Sequence, residues 1–228
     1  VLSPAEWEVI ALSLKVSAVA IALMLPVSFA LAWVLARSRM PGKLLLDALV
    51  HLPLVLPPVV TGWLLLLAFG SQGPVGRVLG EWLGVSLMFR WTGAALAAAI
   101  MALPLMVRAM RISIENVDRR LESAARTLGA GPWRTFWTVT LPLAAPGVLA
   151  GAVLGFARSI GEFGATITFV SNIPGETRTI PLAIYSALQM PGGESAVTRL
   201  ALIAVALSLL ALTASELLTR RTERRYLG

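Results

Sequence analysis

The sequence predicts an all-α, polytopic membrane protein with five spans, and three observations predict it. Of 228 residues, 57% are hydrophobic and only 14% charged, with a mean hydropathy of +0.80. Soluble domains sit nearer 45–50% apolar and about 25% charged. The apolar residues gather in long runs, and the basic residues cluster between those runs. Such an excess is no oversized core, because a domain of this size still needs a polar shell. A soluble enzyme is thereby disfavoured. The chain has no cysteine, hence no disulfide framework or thiolate metal site. One histidine, His51, leaves little material for a metal site or a histidine-based triad. No cofactor, metal or catalytic residue is expected.

The first span is expected over residues 9–36, apolar except for Lys15. At about 1.5 Å per residue it is long enough to cross a ~30 Å hydrocarbon layer. Phe29-Ala30-Leu31-Ala32 has the small residues of a signal-peptide cleavage site. Yet Glu6 and Glu8 stand where such a peptide is basic, and the run far exceeds a ~7–15-residue signal core. Further spans are expected over residues 44–69, 91–114, 141–169 and 195–218. Pro57-Pro58 should break the second into two segments, since proline removes a backbone donor. Between spans, Gly73–Leu83 reads as a short amphipathic helix on the surface. Ile180–Leu188 is apolar but too short to cross, and reads as an interfacial or re-entrant helix.

Basic residues set the orientation. Arg37, Arg39 and Lys43 lie between the first two spans. Arg108, Arg111, Arg119, Arg120, Arg126 and Arg134 lie between the third and fourth. Arg220, Arg221, Arg224 and Arg225 sit in a C-terminal tail, residues 219–228. Five spans place all three groups on one side, leaving only Arg77, Arg90, Arg178 and Arg199 on the other. The positive-inside rule then expects the N-terminus outside and the C-terminus in the cytoplasm. The +7 balance thus reads as membrane topology rather than as a nucleic-acid footprint.

The longest cytoplasmic segment, Asp118–Pro142, is expected to carry the function. Asp118 is a candidate N-cap. On a helix, Leu121, Ala124, Ala125 and Leu128 share one face, while Arg119, Arg120, Glu122, Ser123, Arg126 and Thr127 cover the other. Gly129 suits a left-handed helix stop, and Gly131-Pro132 forces a turn. So short a helix is marginal in water, and its apolar face needs a partner. That partner is either the chain's own membrane domain or another protein.

Here the sequence resembles a known family. Ser123-Ala124-Ala125, three residues, Gly129, nine residues, then Val139-Thr140-Leu141-Pro142 is similar to the "EAA" signature of permease subunits of ABC-type importers. The family's glutamate is replaced by Ser123 and its isoleucine by Val139, with Glu122 one residue early. The stretches His51–Val60, Ala125–Ala130 and Phe156–Pro181 resemble molybdate permeases of the sulfate/molybdate group. Gly161-Glu162-Phe163-Gly164-Ala165 is shared in kind with sulfate permeases, whereas Ser171–Arg178 favours molybdate. The resemblance covers about residues 9–218.

It implies a type I ABC importer transmembrane fold, five core spans plus a cytoplasmic coupling helix over residues 118–130. It implies a bacterial inner-membrane protein working with a second copy of itself, an ABC ATPase pair and an external oxyanion-binding protein. Leu121, Glu122, Ser123, Ala124, Ala125, Leu128 and Gly129 would then meet the ATPase. The chain carries no G-x-x-x-x-G-K-[ST] phosphate loop; Gly42-Lys43 is followed by Leu44. Some relatives carry an additional N-terminal span, for which no room is expected here.

Arg158 and Glu162 are four apart and should face the same way. A charge at mid-bilayer costs roughly 2.5–3.5 kcal/mol on insertion scales, so pairing is expected. The pair is either a packing lock or part of a pathway or gate. Asp47 and His51 share the same spacing and read as structural. Glu176 and Arg178, in the outer segment, are candidate contacts for the binding protein. Sulfate, thiosulfate or tungstate import is the alternative within the family. A stand-alone secondary transporter or channel is the alternative outside it.

Overall fold

The computed structural model describes Leu2–Leu227, without the side chains of Ser215 and residues 218–227. The four arginines of the expected basic tail lie outside these described side chains. Helices α1 (Pro4–Arg37), α2 (Lys43–Val55), α3 (Pro58–Phe69), α4 (Pro74–Leu83), α5 (Trp91–Glu115) and α6 (Arg119–Thr127) come first. Then come α7 (Pro132–Thr135), a π-helical turn over Phe136–Thr140, α8 (Leu141–Ile160), α9 (Gly164–Val170), α10 (Ile180–Leu188) and α11 (Glu194–Leu227).

Four helical stretches are long and apolar enough to cross a membrane: α1, α5, the α7–α8 run over Pro132–Ile160, and Glu194–Ala214 of α11. Helix α5 is the centre of the bundle, with 67% of its apolar window buried against 6% for α11. Leu12, Val16 and Ala20 of α1 pack with Ala94–Met101, and Ile21, Ala32 and Leu35 with Ala102–Ile114. Helices α1 and α5 are therefore parallel. Helix α8 returns antiparallel, with Gly147 against Ser113 and Gly155 against Met106 and Ile21. Gly147, Gly151, Gly155 and Ser159 recur every fourth residue, so one face of α8 has almost no side chains. A Cβ at Gly155 would lie 2.7 Å from Met106 Cγ and 2.9 Å from Ile21 Cδ1. Small residues let membrane helices approach this closely.

The second apolar run is broken where Pro57 and Pro58 stand, and the chain bends by 116° between α2 and α3. The pair still carries the chain from one end of α5 to the other. Asp47 of α2 bonds Arg111 near the C-terminus of α5 at 3.0 Å, whereas Leu65 of α3 packs among Ala94–Met101. Arg111 also bonds Glu115 at 2.8 Å, and His51 Nδ1 lies 2.9 Å from the Asp47 backbone carbonyl.

The fourth run departs from expectation. It is not continuous to residue 169: α8 ends at Ile160, and α9 starts at Gly164 and packs on α3 and α5. The reason is Glu162, whose buried carboxylate accepts the Ala165 N–H at 2.8 Å and so caps a new helix.

Candidate functional site

Helix α6 sits at the end of the bundle where α1 and α5 finish. Asp118 caps it, accepting the Arg120 N–H at 2.8 Å. Gly129 has φ +87°, and Ala130 N–H reaches back to Ala125 O at 3.0 Å. This is a glycine stop of the Schellman type. A fresh Pro132 start follows at once, so the link between α6 and α8 is short.

The two faces of α6 have different tasks. Glu122 turns inward. It takes two N–H groups of Arg37 on α1, at 2.9 and 3.4 Å, and the Thr140 hydroxyl at 2.8 Å. Both ionic side chains are 13% exposed. Arg37 also lies over Trp33, which packs edge-on to Phe136. Leu121, Ala124 and Leu128 face away from the bundle, with Leu128 89% exposed. Ala125 is half-buried, and Ser123, exposed, donates to Arg119 O at 3.0 Å. The chain's own membrane domain thus leaves most of the apolar face uncovered.

Arg158 and Glu162 meet at 2.7 Å, with Glu162 only 2% exposed. Glu162 holds Arg158 with one oxygen and caps α9 with the other. Beside them Ser159 donates to Ser17 of α1 at 3.1 Å. These contacts tie α8 to α9 and to α1.

Residues 15–224 match the model of the family described as "binding-protein-dependent transport system inner membrane component". The chain belongs to that family. It is 57% identical over 225 residues to the molybdenum transport system permease protein ModB of Escherichia coli K12, covering 99% of this chain and 98% of the relative. The corresponding ModB of Haemophilus influenzae is 56% identical over 220 residues, 96% of each chain. Among solved structures, a bacterial alginate ABC transporter in complex with its pentasaccharide-bound periplasmic protein superposes with a TM-score of 0.74 at 18% identity. The match covers 96% of this chain and 80% of that one. At that identity the likeness speaks for the fold alone: the all-α transmembrane fold of ABC importers.

Transport in this family depends on a binding protein, which directs attention to the end of the bundle opposite α6. There the segment between α9 and α10 is a compact, pinned loop rather than a set of flexible turns. Thr177 Oγ1 donates to Ser171 O at 3.0 Å and accepts Ile173 N–H at 2.8 Å. Arg178 Nε bonds Asn172 Oδ1 at 3.0 Å, so this arginine is half-committed to the loop, while Glu176 is exposed. Ser13 of α1 accepts Ile180 N–H at 2.8 Å, and Glu6 bonds Arg199 at 2.9 Å. Nearby, Lys15 Nζ lies 3.8 Å from the centre of the Trp91 ring, a cation–π contact rather than a bare intramembrane charge.

Sequence reasoning missed Arg37, Thr140, Trp33 and Phe136 as neighbours that anchor α6. Arg37 was read only as a topology signal. Nothing in the spacing connects it to Glu122, because the two lie 85 residues apart.

Proposed function

We propose that this chain is the permease subunit of an ATP-driven molybdate importer of the bacterial inner membrane. Two copies form the translocation pathway. An ABC ATPase pair seats on α6 of each copy from the cytoplasm, and an external oxyanion-binding protein delivers the cargo near Glu176 and Arg178. ATP hydrolysis belongs to the partner subunits. The N-terminus lies outside and the C-terminus in the cytoplasm, in keeping with the arginines around α6.

The observation that carries the coupling reading is the uncovered apolar face of a helix whose other face is tied to the spans. Leu121, Ala124, Ala125, Leu128 and the Gly129 stop form the seat, while Ser123 lies on the other face and Glu122 transmits the motion through Arg37 and Thr140. Closure of the ATPase pair would move α6 as a lever. Shifting the bundle from 1:99 to 99:1 takes about 5.5 kcal/mol of differential binding, a load that ATP supplies. The cargo reading is supported by the identity to the two ModB proteins over almost the whole chain. Few donors are visible within the spans, which favours passage over tight holding of an oxyanion. Arg158 and Glu162 act as a packing lock that fixes the pathway's wall.

Reconstitution with the ATPase and binding protein tests both halves. Leu121→Glu should leave insertion intact and disconnect ATP hydrolysis from molybdate uptake; normal coupling in that variant would remove the docking argument. The anion carried by the co-purifying binding protein should be molybdate. Sulfate or tungstate there would transfer the reading to its alternative, and uptake in vesicles without the ATPase would replace it by a secondary transporter.

A further inference from the structure

Behind α6, on the side away from its apolar face, lies a cavity of about 350 Å³ enclosed by α6, α1 and the segment Pro132–Thr140. Its charge is lopsided. Arg37, Arg119 and Arg126 line it, against the single carboxylate of Glu122. Glu122 occupies the two terminal nitrogens of Arg37. The Nε of Arg37 is buried and has no hydrogen-bond partner. Arg119 and Arg126 are exposed and form no ion pair with any described residue. The hydroxyls in the wall already donate elsewhere: Ser123 to Arg119 O, Thr135 to Gly131 O and Thr140 to Glu122. What remains is a surplus of guanidinium donors, which have no acceptor capacity of their own. Three cations around one carboxylate leave two positive charges uncompensated. Guanidinium forks match the oxygens of phosphate-like and carboxylate groups bidentately.

We propose that this cavity is a tetrahedral-oxyanion site, a phosphate-type group being held by Arg119 and Arg126 of α6 beside the Arg37–Glu122 pair. The bound anion bridges the two arginines of α6 beside the Arg37–Glu122 link, and so sets the charge and stiffness of the joint through which α6 moves the spans. The site stays open when a partner covers Leu121, Ala124 and Leu128, because the cavity lies on the opposite side of the helix. The phosphate group has two sources: the free ion and an anionic lipid headgroup. Trp133 and Trp137 lie exposed beside the cavity, packed on Phe136. Tryptophans gather at the membrane–water boundary, where headgroups are within reach.

The chain has no cysteine, so Ser123→Cys gives a single reporter in the cavity wall. In the permease–ATPase complex in phosphatidylcholine nanodiscs, inorganic phosphate should slow labelling by a neutral maleimide. At ten times its Kd the slowing should reach about tenfold, as occupancy requires. Chloride at matched ionic strength should not slow it. If the headgroup is the source, phosphatidylglycerol nanodiscs should give the protection with no phosphate added. Protection by neither would overturn the proposal, and so would protection that persists in Arg119→Gln/Arg126→Gln. The unlabelled, unmodified complex gives a second reading: its thermal stability should rise with phosphate or phosphatidylglycerol, and that rise should vanish in the double variant. Neither readout depends on which anion is transported.

Discussion

Two of the molecule's arginine–glutamate pairs have nearly equal length and opposite character. Arg158–Glu162 closes at 2.7 Å between residues four apart, and its carboxylate is 2% exposed. Arg37–Glu122 closes at 2.9 Å across 85 residues, with both side chains 13% exposed. The first pair acts where one helix stops and the next begins, using the second carboxylate oxygen as a cap. The second acts where three elements meet: α1, α6 and the π turn. The buried Glu162 carboxylate is costly to leave unpaired in low dielectric, while Arg158, 26% exposed, still reaches water. A pair beside a wet cavity costs less to open. One is suited to fixing a wall and the other to hinging a lever.

The largest effect should come from the wall. Glu162→Ala leaves Arg158 without its acid and α9 without its cap. Breaking one half of a buried pair costs about 3–5 kcal/mol, and because Arg158 is 26% exposed the loss should fall at the lower end. Purified permease should unfold at a clearly lower denaturant concentration. Glu162→Gln restores a neutral acceptor to Ala165 N–H and should recover the capping share, about 1 kcal/mol. Equal loss in both variants would mean that the charge alone matters and the cap does not.

A smaller change in stability, with a larger change in function, should come from the lever. Glu122→Ala removes charge-assisted bonds worth about 1.5–3 kcal/mol but leaves the outward face of α6 intact. ATPase binding should survive while molybdate uptake per ATP falls. A double-mutant cycle with Arg37→Gln should give a coupling energy of about 0.5–3 kcal/mol. Additive losses would show that the two residues act separately, and the lever would then need another tether.

The same contrast explains what the sequence could reveal. Arg158 and Glu162 were legible as a pair because helical spacing puts residues four apart side by side. The Gly129 stop was legible from its position after the last apolar residue. The break after Ile160 was not, because the apolar run continues to Val170 and Glu162 looked like a charge within a span. Its flanking Gly161 and Gly164 were the signal of a helix end. The Gly147–Gly151–Gly155–Ser159 face was also in plain view, as a four-residue repeat of small residues, and went unread. Arg37–Glu122 had no local signal at all. It exists only because α1 and α5 run parallel and end together, a fact of packing between helices that periodicity along one chain does not contain.

The smallest effect should separate the lever's two attachments. Thr140 closes the π turn, where Leu141 N–H reaches back five residues to Phe136 O ahead of Pro142, which has no N–H to give. Its hydroxyl is buried and donates to the same Glu122 oxygen that meets Arg37. Thr140→Val keeps the shape and the β-branch and removes that one bond. A hydrogen bond to a charged group is worth about 1.5–3 kcal/mol, and the ion pair that remains should hold the loss to the lower end. Binding of the ATPase should be unchanged. If uptake per ATP falls as far as in Glu122→Ala, motion passes from α6 directly into α8 through the π turn. If it stays near the wild type, motion passes through Arg37 into α1, and the π turn only follows.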